Sequence, residues 1–548
     1  MNFGREIITL QFGHQSNFIG AHWWNLQASE AGFNYDSSSP PSEINHDILF
    51  REGVNHRNEV TFTPRAIVVD LHGSLNHLKP GGDLYEDPSP PTPDSVPWQE
   101  DKIEVIATEQ PKKNEFLLHL ENEDETSASG NGKMVFELDN DINVWSDYLK
   151  VRFHPRTVSI IDEYKHDDEN KPFDSFIQGS ELWNSKFEDD WCDRCRLYVE
   201  ECDNMQGFQI IMDGTNGFSG LASSAMQYLN DEYSSKSVIS FPVLLPSSLS
   251  TSADEDSRKI VNLAMSFARS SELASMTVPI SCFDTSWRQF GSKRNFQHTN
   301  YDVNLLYHTG AILASYLETI SLFYRRRNDV YRMLNLCSSL TPIGRKVINA
   351  VHSHPFAIKE DGNLLRKLEL WEGPLWSSLT PHCEVDEDVI LQAITVRGVQ
   401  KHQLLPKIVK PEDQCNPLFR SETAAEMLDA YLSFSYDGVS SQVASIEDKL
   451  CTSAPFPNIF AENLHRDGTL SSKSRPSFMA VEKTSAVAGL QCAQSTGNML
   501  SSLHAEADRT NLRRVMKSAT SSLELEDYSE SLESLLSLSE CYSNSVFI

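Results

Sequence analysis

Three short segments of the chain are continuously apolar, and each ends at a turn of small or polar residues. They are Ile7–Phe12 before Gly13, Ala66–Leu71 before His72, and Phe208–Met212 before Asp213. A strand has such an unbroken apolar run when both of its faces are buried, as in a parallel sheet covered by helices. Ligands of these sheets bind at the carboxyl ends of the strands. The pattern therefore predicts an α/β fold with a nucleotide-sized site, intact or vestigial, at the three turns.

Helical spacing of apolar residues follows these strands. A helix from about Asn17 would bury Ile19, Trp23 and Leu26 on one face. Further helices are predicted over about 182–202, 257–268 and 300–324, and further strands over 238–245 and 347–351. The 300–324 helix has few polar residues, so we expect it to be central and buried.

Changes in composition divide the chain into five parts. Residues 1–79 begin the α/β domain, 80–140 form an acidic, Pro-rich, partly disordered insertion with a short element at 115–120, and 141–300 complete the domain. Residues 301–440 hold the central helix and a second domain. Residues 441–548 are Ser/Glu-rich and partly disordered. Near their end, Tyr528, Leu532, Leu535 and Leu536 have the spacing of one amphipathic helix, whereas the composition favours a mobile tail.

The chain is strongly acidic, with a formal net charge of −30. Such a charge repels nucleic acid and anionic lipid, so we expect no nucleic-acid partner and at most peripheral membrane association. No signal peptide or membrane-spanning run is predicted. Cys192 and Cys195 form a single CxxC and are interpreted as buried structural cysteines in a reducing compartment. His352 and His354 lack further ligands nearby, so no metal site is predicted.

The candidate nucleotide-binding residues lie in the three turns. A phosphate site needs backbone N–H groups at a helix N-terminus, and glycine where a Cβ would block the anion. The candidates are Gly13, His14, Gln15, Ser16, Asn17 and Gly20 after the first strand, Asp70 and Gly73 after the second, and Gly214, Thr215, Asn216, Gly217, Ser219 and Gly220 after the third.

The same segments carry a family resemblance. Residues 5–13 with Asn17–Gly20 resemble the first strand and phosphate loop of tubulins, 64–71 resemble the second strand, and 202–209 resemble the segment before the glycine-rich signature. The motifs at 22–27, 144–149, 198–203 and 217–220 are similar to those of the Misato family of tubulin-like proteins. The resemblance implies a tubulin/FtsZ-like, Rossmann-type parallel sheet with helices on both faces, a second α+β domain and a partly disordered C-terminal tail.

Several positions depart from the tubulin pattern. Asn216 and Phe218 interrupt the glycine run, and Ser16 replaces a glycine. His72 replaces an acidic residue, which removes one oxygen ligand for magnesium. The segment 176–181 keeps only Gly179 of another phosphate turn. The hydrolytic acid would fall near Arg332, which cannot act as a base, so no catalytic residue is predicted. Phe218 blocks the site if its ring turns inward, into the site, and is only a packing anchor if its ring faces the core.

The resemblance implies a role in mitochondrial distribution, morphology and inheritance. The departures from the tubulin pattern favour a non-catalytic interaction scaffold with a vestigial GTPase-type site and no firm cofactor. The retained residues leave an alternative open: a GTP-binding protein or weak polymerising GTPase in cytoskeleton organisation or cell division. Expected partners are cytoskeletal or mitochondrial-surface proteins. The expected locations are the cytosolic face of the mitochondrial outer membrane and the cytoplasm.

Overall fold

The computed structural model describes most of the chain, and every structural statement below concerns the residues it describes. These are 5–31, 42–54, 58, 60–79, 81–82, 84, 112–125, 135–245, 252–287, 291–327, 329–385, 388–406, 417–436, 438–512 and 525–543. Most of the predicted insertion, including the Pro-rich run at 88–93, lies outside the described residues. Its described part contains the helix α2 (Glu115–Glu125), which includes the short element predicted at 115–120.

A six-stranded parallel sheet forms the first half of the molecule. Its order is β5-β4-β1-β6-β7-β8. The strands are β1 (Ile7–Phe12), β4 (Ala66–His72), β5 (Val158–Lys165), β6 (Gly207–Asp213), β7 (Ser237–Val243) and β8 (Met276–Thr277), and a separate hairpin pairs β2 (Phe50–Val54) with β3 (Val60–Pro64). The three apolar segments singled out in the sequence are β4, β1 and β6, which are neighbours in the centre. The predicted parallel sheet is confirmed.

Helices cover both faces of this sheet. On one face Ile7 and Val68 pack with α1 (His14–Ala31), α6 (Ala253–Leu273) and α7 (Leu306–Ile320). On the other face Ile8 and Leu10 pack with α3 (Phe176–Leu182), α4 (Glu188–Glu200) and α5 (Gly217–Glu232). Successive strand residues point to opposite faces, so both faces of an apolar run are buried, as the sequence predicted.

A second, mixed sheet follows, with the order β10-β9-β15-β11-β12. Its strands are β9 (Asn349–Ser353), β10 (Ser377–Ser378), β11 (Val389–Arg397), β12 (Ser440–Ile446) and β15 (Ala486–Ala493), with a small hairpin of β13 (Leu450–Cys451) and β14 (Lys483–Thr484). Only β11 and β12 pair in parallel. The associated helices are α8 (Leu322–Arg325), α9 (Met333–Leu340), α10 (Leu364–Glu369), α11 (Ala424–Ser435) and α12 (Gln494–Asp508). The predicted second α+β domain is confirmed, and its sheet runs across the boundary that we placed at residue 440.

The helix α7 connects the two halves. Every residue from Tyr307 to Ile320 is buried, because α1 packs on one side of the helix and β15 and β11 on the other. This agrees with the central buried helix expected at 300–324. None of the described helices combines the length and apolarity needed to cross a bilayer.

Two helices differ from the sequence interpretation. The helix expected over 182–202 is broken at Trp183–Phe187, where a π-helical turn separates α3 from α4. The favoured mobile tail is wrong for Leu525–Ser543, which is a helix packed on α12 and α6. Its buried face contains Tyr528, Leu535, Leu538 and Tyr542, whereas Leu536 is 42% exposed.

Candidate functional site

The three predicted turns meet at the carboxyl edge of the parallel sheet. The adjacent order β4-β1-β6 places the ends of these strands side by side. Asn17 Nδ2 donates to Asp70 Oδ2 at 3.0 Å, and Ser16 N donates to Asp213 Oδ1 at 2.8 Å. The structure therefore brings the Gly13–Asn17 turn, Asp70 and the third turn together, as the pattern required. Whether these residues bind a nucleotide stays a prediction.

The N-terminus of α1 already holds an anion from the chain itself. The carboxylate of Asp213 accepts hydrogen bonds from Ser16 N at 2.8 Å, Ser16 Oγ at 2.7 Å and Gln15 N at 3.3 Å. These are the unpaired N–H groups that a phosphate meets at a helix N-terminus. Burial raises the pKa of Asp213, and the hydrogen bonds from Ser16 oppose that rise while the charge of Asp70 adds to it.

Gly13 permits this arrangement. Its φ of +113° lies in a region that side chains disfavour, and a Cβ there would overlap the Asp213 carboxyl group. The glycine that the sequence assigned to a phosphate loop thus makes room for an internal carboxylate. Gly20, also a candidate, lies inside α1 against the side chain of Gln11.

Asp70 is fully buried and surrounded by donors. Its carboxylate accepts from Asn17 Nδ2, from Trp145 Nε1 at 2.8 Å and from the backbone N–H of Leu71 at 2.8 Å, and it pairs with His14 Nδ1 at 3.3 Å. Burial alone would raise the pKa of Asp70, but the hydrogen bond and charge of His14 lower it overall. With these contacts, Asp70 serves as the acceptor at the centre of a buried hydrogen-bond network.

His14 is the partner of Asp70 in this pair. Burial lowers its pKa, but the hydrogen bond to Asp70 and the charges of Asp70, Asp213 and Asp167 raise it overall. The ring centroids of His166 and His14 are 4.0 Å apart. Burial and the charge of His14 lower the pKa of His166. No group of three metal-ligating side chains occurs among the described residues.

Four backbone N–H groups of the third turn, those of Gly214, Gly217, Phe218 and Ser219, also have partners within the chain. Gly214 N donates to Val243 O at 3.0 Å, and Gly217 N donates to Phe173 O at 3.2 Å. Asn216 caps α5, since its side chain accepts from Phe218 N at 3.0 Å and its carbonyl accepts from Ser219 N at 3.1 Å. The carbonyl of Thr215 accepts from Asn262 Nδ2 at 2.9 Å. These four donors would have to break a hydrogen bond within the chain before they could bind a phosphate.

The glycines of α5 serve close packing against α3. A Cβ on Gly220 would overlap the carbonyl of Phe176, and one on Gly217 would lie 2.7–2.8 Å from the Phe173 ring. Phe218 is buried and meets Phe173 edge-on at 5.1 Å between ring centroids. Of the two orientations considered for Phe218, the structure has the one in the core.

Some predicted positions lie elsewhere. The segment 176–181, aligned with a phosphate turn, is part of α3, and its Gly179 packs on Gly217. The segment beside Asp70 is instead Trp145–Tyr148, which the sequence marked only as a family motif. Gly73 lines an open cavity of about 460 Å³ with Asn76, Lys112 and Asp147.

The remaining motifs have structural partners. His352 Nε2 and His354 Nδ1 lie 3.1 and 3.2 Å from Ser315 Oγ, and burial lowers the pKa of His352 to about 3. The thiol of Cys195 is buried in the core, as expected, whereas Cys192 is only half-buried, and burial raises its pKa to about 11. Asp213 and His166 were missed as partners of the first turn, since no local spacing connects them to it.

Comparisons with known proteins agree with the fold. The family model described as "Misato Segment II tubulin-like domain" matches residues 5–122, and the one described as "Tubulin domain" matches 137–326. The chain is similar to Protein misato homolog 1 of Danio rerio, with 33% identity over 99% of this chain and 97% of that protein. It is also similar to Protein misato of Drosophila melanogaster, with 31% identity over the full length of both, and to Protein DML1 of Phaeosphaeria nodorum, with 30% identity over 60% of each chain.

Proposed function

The chain belongs to the Misato family of tubulin-like proteins, and from that premise we propose that it is a non-catalytic interaction scaffold in mitochondrial distribution, morphology and inheritance. The mitochondrial part of the proposal rests on the family resemblance. The scaffold part rests on the chemistry of the candidate site. The partners are cytoskeletal or mitochondrial-surface proteins, met in the cytoplasm or on the outer membrane, where the chain associates peripherally.

One observation carries the scaffold proposal: the Asp213 carboxylate lies at the N-terminus of α1, hydrogen-bonded to Ser16 and Gln15. A nucleotide phosphate at this position would have to displace a buried carboxylate and lie beside the second carboxylate of Asp70. Two like charges at short range in a buried site repel strongly. The position therefore disfavours GTP.

Two further features support the absence of turnover. The N–H groups of Gly214, Gly217 and Phe218 are already hydrogen-bonded within the chain, so they cannot stabilise phosphate charge without breaking those bonds. Arg332, at the position aligned with the hydrolytic acid, is an exposed cation that cannot accept a proton from water.

GTP titration by calorimetry, with and without Mg²⁺, tests the scaffold proposal. We expect the natural chain to give no saturable heat with GTP in the micromolar range. A micromolar dissociation constant would contradict the scaffold proposal and favour the GTP-binding alternative. Turnover that is lost on Asp70→Ala, or GTP-dependent filaments seen by light scattering, would favour the polymerising GTPase.

The variant Asp213→Ala tests whether the Asp213 carboxylate is the reason that GTP does not bind. Removing the carboxylate leaves Gln15 N, Ser16 N and Ser16 Oγ unpaired, which should lower the free energy of unfolding by about 1–3 kcal/mol. It also opens the α1 N-terminus, so millimolar phosphate should raise the melting temperature of the variant and not that of the natural chain. Asp231→Ala is the control, because its carboxylate accepts from Gln227 at the surface of α5.

The mitochondrial part needs a test in cells. Depletion of the protein should alter the distribution of the mitochondrial network, and re-expression of the natural chain should restore it. Unchanged mitochondria after depletion would contradict this part of the proposal and leave the calorimetric result untouched.

A further inference from the structure

A small surface at the amino-terminal edge of the parallel sheet, opposite the candidate site, carries two exposed aliphatic side chains. Val330 is 83% exposed and Leu334 is 63% exposed. Both flank Arg332, the exposed residue that caps α9. We call Arg5, Arg326, Val330, Arg332 and Leu334 the Arg332 surface. Val330 and Leu334 are each two residues from Arg332 along the chain, and exposed apolar patches that are rimmed by polar residues mark interaction sites.

The Arg332 surface is also positively charged. Arg326 forms an ion pair with Asp329, and Arg5 donates to the backbone carbonyls of Asp329 and Arg326. Among the described residues, the guanidinium of Arg332 has no hydrogen-bond or ion-pair partner. Burial and the charge of Arg332 lower the pKa of Arg5, whereas the charge of Asp329 raises it, so the guanidinium groups of Arg5 and Arg332 lie close to each other. A local excess of positive charge is notable on a chain whose net charge is −30.

The backbone of this surface is held firmly. Tyr331 N donates to Asp329 Oδ1 at 3.0 Å, and Arg332 N donates to Asn335 Oδ1 at 2.9 Å. Met333 N donates to Gln206 Oε1 at 3.1 Å, which ties the start of α9 to the loop before β6. The two aliphatic side chains and the Arg332 stem are therefore presented on a fixed frame, which lowers the entropy cost of binding a partner.

We propose that the Arg332 surface docks an acidic segment of a partner protein. Carboxylates of that segment pair with Arg332, and an aliphatic or aromatic side chain of the segment covers Val330 and Leu334. Arginine and large apolar residues together are the composition typical of binding hot spots.

The charge pattern favours this partner over two other occupants. An anionic membrane is recognised by clusters of four to eight Lys or Arg, whereas here Asp329 offsets part of a smaller cluster. A second copy of the chain carries the same net charge of −30, so the two copies repel over most of their surfaces. The inference gives the proposed scaffold a partner class, but binding here can be measured whether or not GTP binds at the opposite edge.

The test uses the full chain and a short fluorescein-labelled peptide of repeated Glu-Glu-Leu units, followed by fluorescence anisotropy. We expect saturable binding that weakens with salt. Arg332→Glu should weaken it by about tenfold or more, and the double variant Val330→Ser with Leu334→Ser should weaken it similarly. Peptides of Gln-Gln-Leu and Glu-Glu-Ser units should bind less tightly, because the first lacks the carboxylates and the second lacks the apolar side chain.

Matched variants separate this surface from general charge and hydrophobicity. Arg509→Glu changes an exposed arginine on another surface, and Leu370→Ser changes an aliphatic residue that is 68% exposed, so neither should alter binding. Circular dichroism checks that each variant is folded. An equal loss in the control variants, or no binding by the natural chain, would overturn the proposal. So would anionic vesicles or self-association that depend on Arg332 while the peptide does not bind.

Discussion

His14 and Asp70 form a close pair in the candidate site, with Nδ1 and Oδ2 3.3 Å apart. His14 is nearly enclosed by the protein, so its charge depends on Asp70, Asp213 and Asp167, whose charges raise its pKa above the ordinary value. His166 lies against it with a lowered pKa. The two histidines therefore titrate with opposite effects on stability.

The pair predicts a pH-dependent stability at the residue scale. A raised folded-state pKa means that His14 stabilises the fold fully below its unfolded pKa near 6.5, and that this contribution is lost as pH rises through the folded value. The pKa of Asp70 is lowered in the fold, so Asp70 stays ionised across this range and loses its charge only at more acidic pH. His14→Gln should therefore cost more stability at about pH 5.5 than at about pH 8.5.

Urea unfolding at the two pH values measures this difference. The comparison is made in a His166→Gln background, because His166 titrates in the same range with the opposite sign. His402→Gln, at an exposed position, is the control for the loss of an imidazole. A larger cost for His14→Gln at the higher pH would mean that His14 is neutral in the fold.

Residue identities predicted the members of the site better than their roles. Gly13, Ser16, Asn17 and Asp70 were identified from their turns, and they do lie together. The sequence could not show that Asp213 would fill the α1 N-terminus, because Ser16 and Asp213 are 197 positions apart. The sequence places Asp213 in the third turn, but the direction of the Asp213 carboxylate depends on how β6 aligns with β1.

At the element scale, the contact between α3 and α5 explains why Gly220 and Gly179 are glycines. Gly220 faces the carbonyl of Phe176, and Gly179 faces the carbonyl of Gly217. Each helix thus approaches the backbone of the other without a Cβ between them. These glycines are required by packing, with or without a ligand.

Gly220→Ala should therefore destabilise the protein although alanine favours helix. The added methyl group would overlap the Phe176 carbonyl and separate the two helices, and overpacking of this kind costs about 1–3 kcal/mol. Urea unfolding measures the change. Gly81→Ala is the control, since a Cβ there meets nothing within 4 Å, and its effect should be small or slightly stabilising. An unchanged stability for Gly220→Ala would show that α3 moves freely.

The elements themselves were largely predictable, and the exceptions have a common cause. Apolar periodicity located the central strands and the helices α1, α6 and α7. The break at Trp183–Phe187 and the helix Leu525–Ser543 depend on what lies next to them. The latter helix has a marginal apolar face, and its order comes from packing on α12 and α6, which a local pattern does not contain.

At the scale of the whole molecule, a buried cluster of charges joins the two sheets. Glu318 on α7 pairs with Arg325 at 2.6 Å and with Arg397 of β11 at 3.7 Å, and it accepts from Trp23 Nε1 of α1 at 2.7 Å. Arg397 also pairs with Glu30 of α1 at 3.1 Å. Two arginines and two glutamates thus balance one another where the halves meet.

Glu318→Gln should weaken the whole fold. It leaves Arg325 and Arg397 buried with too little negative charge, and breaking a buried pair in this way costs about 3–5 kcal/mol. Glu272→Gln is the matched control, because Glu272 pairs with Arg269 on the exposed face of α6 and should change stability by less than about 1 kcal/mol. Thermal unfolding monitored in both halves measures the effect, and an unchanged melting temperature would show that the cluster contributes nothing.

The sequence by itself determined the parallel sheet and the edge at which the three turns meet. Burial on both faces and helical periodicity are local properties, because each depends on the order of apolar and polar residues within a short segment. Only the tertiary structure decided that the phosphate position is filled by Asp213, that the glycines serve helix packing, and that the acidic C-terminal segment is a helix. Each of these depends on a partner far along the chain, whose approach the sequence pattern does not encode.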